Sequence, residues 1–223
     1  FNDLDSPAAI AMVGPNALFF APAFADIQGG AFPSVTVSDT QGLNSVQSIV
    51  NSGANLSPPP EIAADDVPDW LRTPAALDTL VKQLKRAAQN SGRYYPSGQT
   101  PPNYGNYSAG TGITFIDGDS VIASFGQQGG GIMVVTGSFI TFGAFNFKGI
   151  ILVLGDDGVQ INLGWGTVTG NLVIAPYNPN NLAAGWGRPT YAATTDTNNG
   201  PLVDSTFNGT SAVTDFMLGI AEK

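Results

Sequence analysis

Two pairs of carboxylates sit beside turn glycines in the second half of the chain. Asp117 and Asp119 flank Gly118, and Asp156 and Asp157 follow Gly155. Acids gathered on one groove could hold Ca²⁺ through oxygen ligands, or act as acid and base in polysaccharide cleavage. Either chemistry requires the two pairs to converge. Aspartate beside glycine is also ordinary turn chemistry, because its side chain bonds nearby backbone and tolerates left-handed conformations. If the two pairs mark equivalent corners two repeat units apart, about 9–10 Å separates them, and Ser138 stands at the corner between; this favours the turn reading. The chain contains no histidine and no cysteine. That excludes Ser-His-Asp and Cys-His catalysis, His or Cys zinc sites, haem ligation, thiol redox chemistry and disulfides. The sequence therefore nominates no catalytic, cofactor-binding or metal-ligating residue, and the chain reads as a non-enzyme without a cofactor.

Aromatic residues offer a second kind of chemistry. Trp165, Trp186, Tyr94, Tyr95, Tyr104, Tyr107, Tyr177 and Tyr191 lie among glycines and prolines, where they could stack on sugars or fill contacts between subunits. Asn55, Asn106 and Asn208 each begin a glycosylation sequon, a pattern too common by chance to carry weight. The formal charge is −9, which disfavours nucleic acid and anionic membranes as partners. Five of the eight basic residues, Arg72, Lys82, Lys85, Arg86 and Arg93, fall in 72–93 with one acid, Asp78, giving that segment +4 and the remainder −13. This is either a solvated helix face or a patch that meets an acidic neighbour. Charged residues are only 11% of the chain, under half the share of an ordinary soluble domain. Glycine, serine, threonine and asparagine must therefore cover the surface, as in secreted repetitive β proteins. No apolar run approaches the roughly 18 residues of a membrane-spanning helix. The first residues, FNDLDSPAAI, have neither a basic nor an apolar export region; any targeting segment is expected to have been removed or never to have belonged to this chain.

Positioning falls to an internal repeat. Four segments open on glycine, continue with five mainly apolar residues and close on a turn residue: 112–118 (GITFIDG), 131–137 (GIMVVTG), 149–155 (GIILVLG) and 170–176 (GNLVIAP). Their spacings are 19, 18 and 21 residues, with shorter strand-like runs between them at 121–126, 139–143 and 159–164. Units of this length suit short strands that recur in parallel about 4.8 Å apart. An antiparallel sandwich with glycine-rich hairpins is the plainer alternative. In the repeat reading Ile113, Ile132, Ile150 and Leu172 form an inward ladder, with Phe115, Val134, Leu152 and Ile174 beside it. The expected fold is mainly all-β, a short parallel β-solenoid (β-helix) with an inserted α-helical segment.

The chain is expected to form a single domain over 1–223. Residues 1–39 supply N-terminal β coils or a cap, 40–111 a helical and loop insertion, 112–177 the regular coils, and 178–223 a C-terminal tail with weak strand signals in PLVDSTF and DFMLGI. Within the insertion, Leu43, Val46 and Val50 are spaced for a short helix over 43–52. A clearer helix starts at Thr73 as N-cap with Pro74 at its first position and stops at Gly92. Its apolar face carries Leu77, Leu80, Val81, Leu84 and Ala88, to pack on the wall of the coils. Residues 91–112 read as an exposed loop rich in Tyr and Gly.

The stretch from Gly112 to Tyr177, together with a VGPNA segment and VSDTQGLNSVQSIV upstream, resembles the C-terminal glycine-rich β-repeat region of bacterial PilX-like pilus-assembly (minor-pilin-like) proteins of the Acidobacteria type. The resemblance covers most of 12–177 and is structural in kind. It implies the surface-exposed head of a pilus-like filament, since the hydrophobic helix with which such proteins begin is not in this sequence. The expected function is thus an extracellular, cell-surface structural protein that self-assembles as a homo-oligomer or filament, or joins other pilus subunits such as a separate pilin-like helix chain. An adhesin or glycan-binding module is the alternative, and a β-helical polysaccharide-processing enzyme the next. Neither nucleic acid nor a membrane span enters any of these readings.

Overall fold

The computed structural model describes residues 8–23, 25–63, 67–162 and 166–193, and the backbone of 203–204. Along the chain the elements are β1 (Ile10–Met12), β2 (Leu18–Phe20), β3 (Asp26–Gln28), β4 (Val35–Val37), α1 (Thr40–Asn51), β5 (Asn55–Ser57), β6 (Glu61–Ile62) and α2 (Pro74–Asn90). There follow β7 (Tyr94–Pro96), β8 (Ile113–Asp117), β9 (Ser120–Ile122), β10 (Gln127–Val135), β11 (Phe139–Thr141) and β12 (Phe145–Val153). The last are β13 (Val159–Ile161), β14 (Val168–Ile174), β15 (Thr190–Ala193) and β16 (Val203–Asp204). The segment DFMLGI lies outside the described residues.

Two sheets form, and every pairing between these strands is parallel. The larger has the path β5-β3-β16-β14-β12-β10-β8-β7, with β1 joining β14 to β4 and β4 joining β6; the smaller runs β2-β15-β13-β11-β9. The four glycine-led segments are neighbours in the larger sheet, with Gly131, Gly149 and Gly170 in one register. Consecutive strands of the repeat alternate between the sheets, so each unit contributes to both.

The expectation of a mainly all-β solenoid is overturned: the fold is mixed α/β. Helix α2, 17 residues long, is a structural layer, since Leu77, Leu80, Val81, Leu84 and Ala88 are buried with Ile113, Phe115, Ile132, Val134, Ile150 and Leu152 in one cluster. Burying each leucine contributes about 1.5–3 kcal/mol, so this helix face is a main source of cohesion. It also explains why the middle strands are apolar on both faces. Strand order departs from chain order as well. Residues 10–12 lie beside 172–174, so the N-terminal strands extend the sheet from its last repeat unit.

The expected ladder is displaced. Ile113, Ile132 and Ile150 share a row with Asn171, and Phe115, Val134 and Leu152 share one with Val173. Both rows face α2, except that Asn171 is absent from the apolar cluster. Met133, Ile151 and Leu172 face the other sheet instead, with Phe139, Val159 and Tyr191. The reason is the register of Gly170 with Gly149: Leu172 is two residues past its glycine, on the opposite face from Ile150. The buried Asn171 is satisfied by donating from Nδ2 to the Ala8 carbonyl at 2.8 Å, which also ties the N-terminal segment to the last unit.

Both helices start on a side-chain cap. Thr73 Oγ1 accepts from Ala76 N at 3.2 Å, as its position predicts. Helix α1 begins three residues earlier than the apolar spacing suggests, because Asp39 caps it by accepting from Gly42 N at 2.7 Å. Its Val46, with Leu43, Ile49 and Val50, closes one end of the core between the sheets.

Gly149 has φ +131°, and a Cβ there would collide with the carbonyl oxygen of Gly131. Gly92, at the end of α2, has φ +69° with open space around it. Gly149→Ala is therefore expected to lose about 2–6 kcal/mol in denaturant unfolding, combining backbone strain and overpacking. Gly92→Ala should lose only about 1–2 kcal/mol.

Candidate functional site

Asp117 ends β8, at the corner where α2, β7 and β10 meet. Its Oδ2 accepts from Lys85 Nζ at 2.6 Å and from Tyr94 OH at 2.7 Å, and its Oδ1 accepts from Thr136 Oγ1 at 3.1 Å. The Lys85 ammonium also lies over the rings of Tyr94, at 5.1 Å, and Phe115, at 5.8 Å. Burial pushes the Asp117 carboxyl upward, but the hydrogen bonds from Lys85 and Tyr94, the lysine charge and Thr136 outweigh it and hold the group below its ordinary value. The hydrogen bond to Asp117 raises Lys85, and the same bond with burial raises Tyr94. The cluster is a clamp between the helix and the sheet, with its carboxylate engaged by three donors.

The four acids do not converge into one site. Asp119 Oδ1 accepts from the backbone N–H of Ser138 at 2.8 Å, which is turn chemistry between neighbouring corners. Asp156 and Asp157 are exposed in the turn before β13. Among the described residues no three acid, histidine or cysteine side chains gather in a metal-binding group.

The basic segment is largely occupied within the molecule. Lys82 pairs with the buried Asp78 at 2.6 Å, and Asp78 also accepts from Tyr177 OH at 3.2 Å. Arg93 donates to the Ile113 carbonyl, the Thr114 hydroxyl and both oxygens of Asn103. Arg72 pairs with Asp69 at 3.1 Å. Arg86 is exposed.

The aromatic residues are dispersed. Tyr104, Tyr177 and Tyr191 are buried, the last stacked on Phe19 at 4.9 Å. Tyr107 lies under Lys148, and Trp186 packs edge-on to Tyr177. Tyr95 is half-buried in β7, and Trp165 lies outside the described residues. Of the sequon asparagines, Asn55 donates to Asp26, Asn106 caps its own turn by accepting from Ala109 N, and Asn208 lies outside the described residues.

Two surfaces remain. The outer face of the smaller sheet carries a row across its five strands, Val121, Ile140, Gln160, Ala192 and Phe20. Val121 and Phe20 are exposed by 44% and 51%, and the nearby corner residues Phe125 and Phe142 by 68% and 43%. A cavity of about 290 Å³ lies under β9, lined by Ser97, Gly98, Gln99, Thr100, Pro101, Tyr104, Asp119, Ser120 and Val121. The Oγ of Ser120 is buried there without a hydrogen-bond partner.

Sequence reasoning missed the clamp, because Lys85 and Asp117 are 32 residues apart and only the packing of α2 joins them. The cavity left a signal. In RYYPSGQTPPNYG (93–105) no apolar run follows the first strand, where each later unit supplies one.

No family model, curated protein or solved structure matches the chain. Among the described residues no helix is long and apolar enough to cross a membrane.

The clamp predicts a defined pH dependence. A lowered carboxyl contributes stability above about pH 4 and loses it as pH falls through the folded value; raised Lys85 and Tyr94 contribute below about pH 10 and lose it as pH rises. The Asp39 carboxyl, lowered by backbone N–H donors of Asn16 and Gly42, adds a second acid-side contribution. Asp117→Asn should cost about 1 kcal/mol at pH 7, given its partial exposure. Melting temperatures followed from pH 3 to 11 should show both limbs flattened in this variant, with the Asp39 part of the acid limb intact.

Proposed function

We propose that the chain is an extracellular structural protein, the head or a subunit of a pilus-like cell-surface filament, and that it associates with further subunits. One observation carries this reading. The outer face of the smaller sheet exposes Val121 and Phe20, with Phe125 and Phe142 exposed at its corners, while the larger sheet has α2 over its own outer face. Val121, Phe125 and Phe142 lie together at the β9–β11 end of that face, and large apolar side chains exposed together on a folded domain mark a protein–protein contact. Aromatic and aliphatic side chains at the centre of such a patch, with few charges, match the make-up of an interface core.

The basic helix face contributes less to assembly than its charge alone suggests. Lys82, Lys85 and Arg93 are held by partners in their own chain, so contact through them would first have to break those bonds. Association is therefore assigned to the apolar face and is expected to persist in high salt, since charge attraction between exposed groups is what salt screens. A glycan-binding face built on tyrosines has little support, because Tyr104, Tyr177 and Tyr191 are buried.

Electron microscopy of concentrated protein tests the assignment: ordered filaments or discrete oligomers are expected. Val121→Glu with Phe142→Glu should abolish association in sedimentation experiments while leaving the melting temperature within a few degrees, since both side chains are exposed. A monomer at all concentrations, unchanged by these substitutions, would remove the proposal.

A further inference from the structure

Among the described residues, strand β9 has one free edge. Its pairing is with β11, where Ser120 N donates to Ser138 O at 2.8 Å and Ile122 O accepts from Phe142 N at 2.7 Å. In a parallel ladder alternate residues bond to opposite sides, so the N–H and C=O of Val121 point away from β11, toward the cavity. The far edge of the same sheet is closed. There Phe19 N donates to Ser45 Oγ of α1 at 2.9 Å, and the same hydroxyl lies 3.5 Å from Phe19 O. One edge is sealed by a helix side chain, and the other is open.

The open edge is the place of a missing strand. The segment before the first full repeat unit adds a neighbour to the larger sheet on both sides of this point. Its β7 pairs with β8, and Tyr104 bridges to Gly129. Between them the chain turns back, with Gln99 N donating to Pro96 O at 3.0 Å, and 97–101 crosses the gap without pairing to β9. The cavity occupies this gap. Along the inward row of the sheet, Tyr191, Val159, Phe139 and Ser120 follow one another. Ser120 is the last of them, at the end where a further residue would continue the row, and its buried hydroxyl, like that of Tyr191, has no hydrogen-bond partner.

We infer that the gap beneath β9 is an acceptor site for one extended polypeptide strand supplied by a partner, added in parallel register to the free edge. The chemistry of the occupant follows from the row it would extend. A hydroxyl-bearing residue such as Thr belongs beside Ser120, where it completes the buried hydrogen bond. An aliphatic residue belongs beside Ile122, and the residue between them faces solvent alongside Val121. Asp119 at the cavity, and the net charge of −9, disfavour an acidic strand. Main-chain bonds to Val121 would supply the affinity and the inward pair the selectivity, as in other cases of strand addition. This inference stands on the edge geometry alone and is independent of assembly through the outer face.

The test uses the full ¹⁵N-labelled chain and the peptide acetyl-Thr-Thr-Val-amide. Two main-chain bonds together with burial of the valine beside Ile122 give an expected dissociation constant of about 1 mM. Saturable shifts should be confined to 97–104 and 119–122, and exchange of the Val121 amide should slow about tenfold or more, as a formed backbone bond requires. A peptide N-methylated at its valine lacks the donor for Val121 O and should not bind. Val121→Pro removes the acceptor strand's own N–H at an edge that tolerates proline and should abolish binding; should that variant fail to fold, the N-methyl peptide still decides. Absence of saturable shifts, equal binding of the N-methyl peptide, or shifts without Val121 protection would each overturn the inference. So would cellobiose shifting these residues where the peptide does not, which would make the gap a saccharide cleft.

Discussion

Gly112, Gly131, Gly149 and Gly170 stand in one row across the larger sheet, with φ between +96° and +135°. The carbonyl of each of the first three fills the space where a Cβ of the next would lie. This close approach sets the register of the whole repeat. Sliding one strand by a single residue would bring a branched side chain, Ile132 or Ile150, against a carbonyl, and would turn every inward residue of that strand outward. With the row fixed, Met133, Ile151 and Leu172 necessarily face the smaller sheet, and Val134, Leu152 and Val173 necessarily face α2. The backbone row thus decides which side chains meet.

That division gives the two sheets different fates. The larger sheet has apolar side chains on both faces and is stable only because α2 covers the outer one. The Asp117–Lys85–Tyr94 clamp and the hydrogen bond that Asp78 accepts from Tyr177 OH pin the helix at two places along its length. The Lys85–Asp117 pair is partly exposed at both partners, so its worth lies in fixing where the helix sits, while the buried leucines supply the cohesion. The smaller sheet buries only its inner face. The apolar side chains on its outer face have no such cover within the described residues, and the contacts proposed for the protein follow from that imbalance.

The glycine-led spacing made the parallel neighbours of the repeat legible, because an interval of 18 to 21 residues leaves room for one short strand in the other sheet before the chain returns to the first. Thr73 and Pro74 made the start of α2 legible for equally local reasons. The fold class was misread because α2 was taken as an insertion on a β structure. Sequence shows its apolar face and its packing on the β wall, which the structure bears out, but not that the helix is a full layer of the fold. Leu172 was assigned the wrong face, since counting apolar residues gave it the place that Asn171 takes when the count starts from Gly170. The pairing of β1 with β14 joins residues more than 160 positions apart, and no periodicity encodes it; its visible trace is one buried amide on one carbonyl, Asn171 to Ala8. The turn role of Asp119 was readable from its neighbour Gly118, whereas the clamp at Asp117 depends on a lysine brought from α2.

The ends of the sheets complete the argument. A parallel sheet of short strands exposes an unpaired backbone at each edge, and such edges invite addition unless they are covered. Here α1 covers the β2 edge with a serine hydroxyl and an apolar face, a solution that needs a whole helix and the Asp39 cap that starts it. At β9 the chain instead passes over as a loop of small polar residues and prolines, leaving a cavity and one backbone donor–acceptor pair without a strand. If the edge needed only protection, the shortest solution would be to continue β7 into a second strand, since 97–101 already spans the gap. Gly98 and Pro101 at that position are of types depleted in strands and disfavour one there. The asymmetry between a sealed edge and an edge held open is what distinguishes an acceptor site from an unfinished sheet.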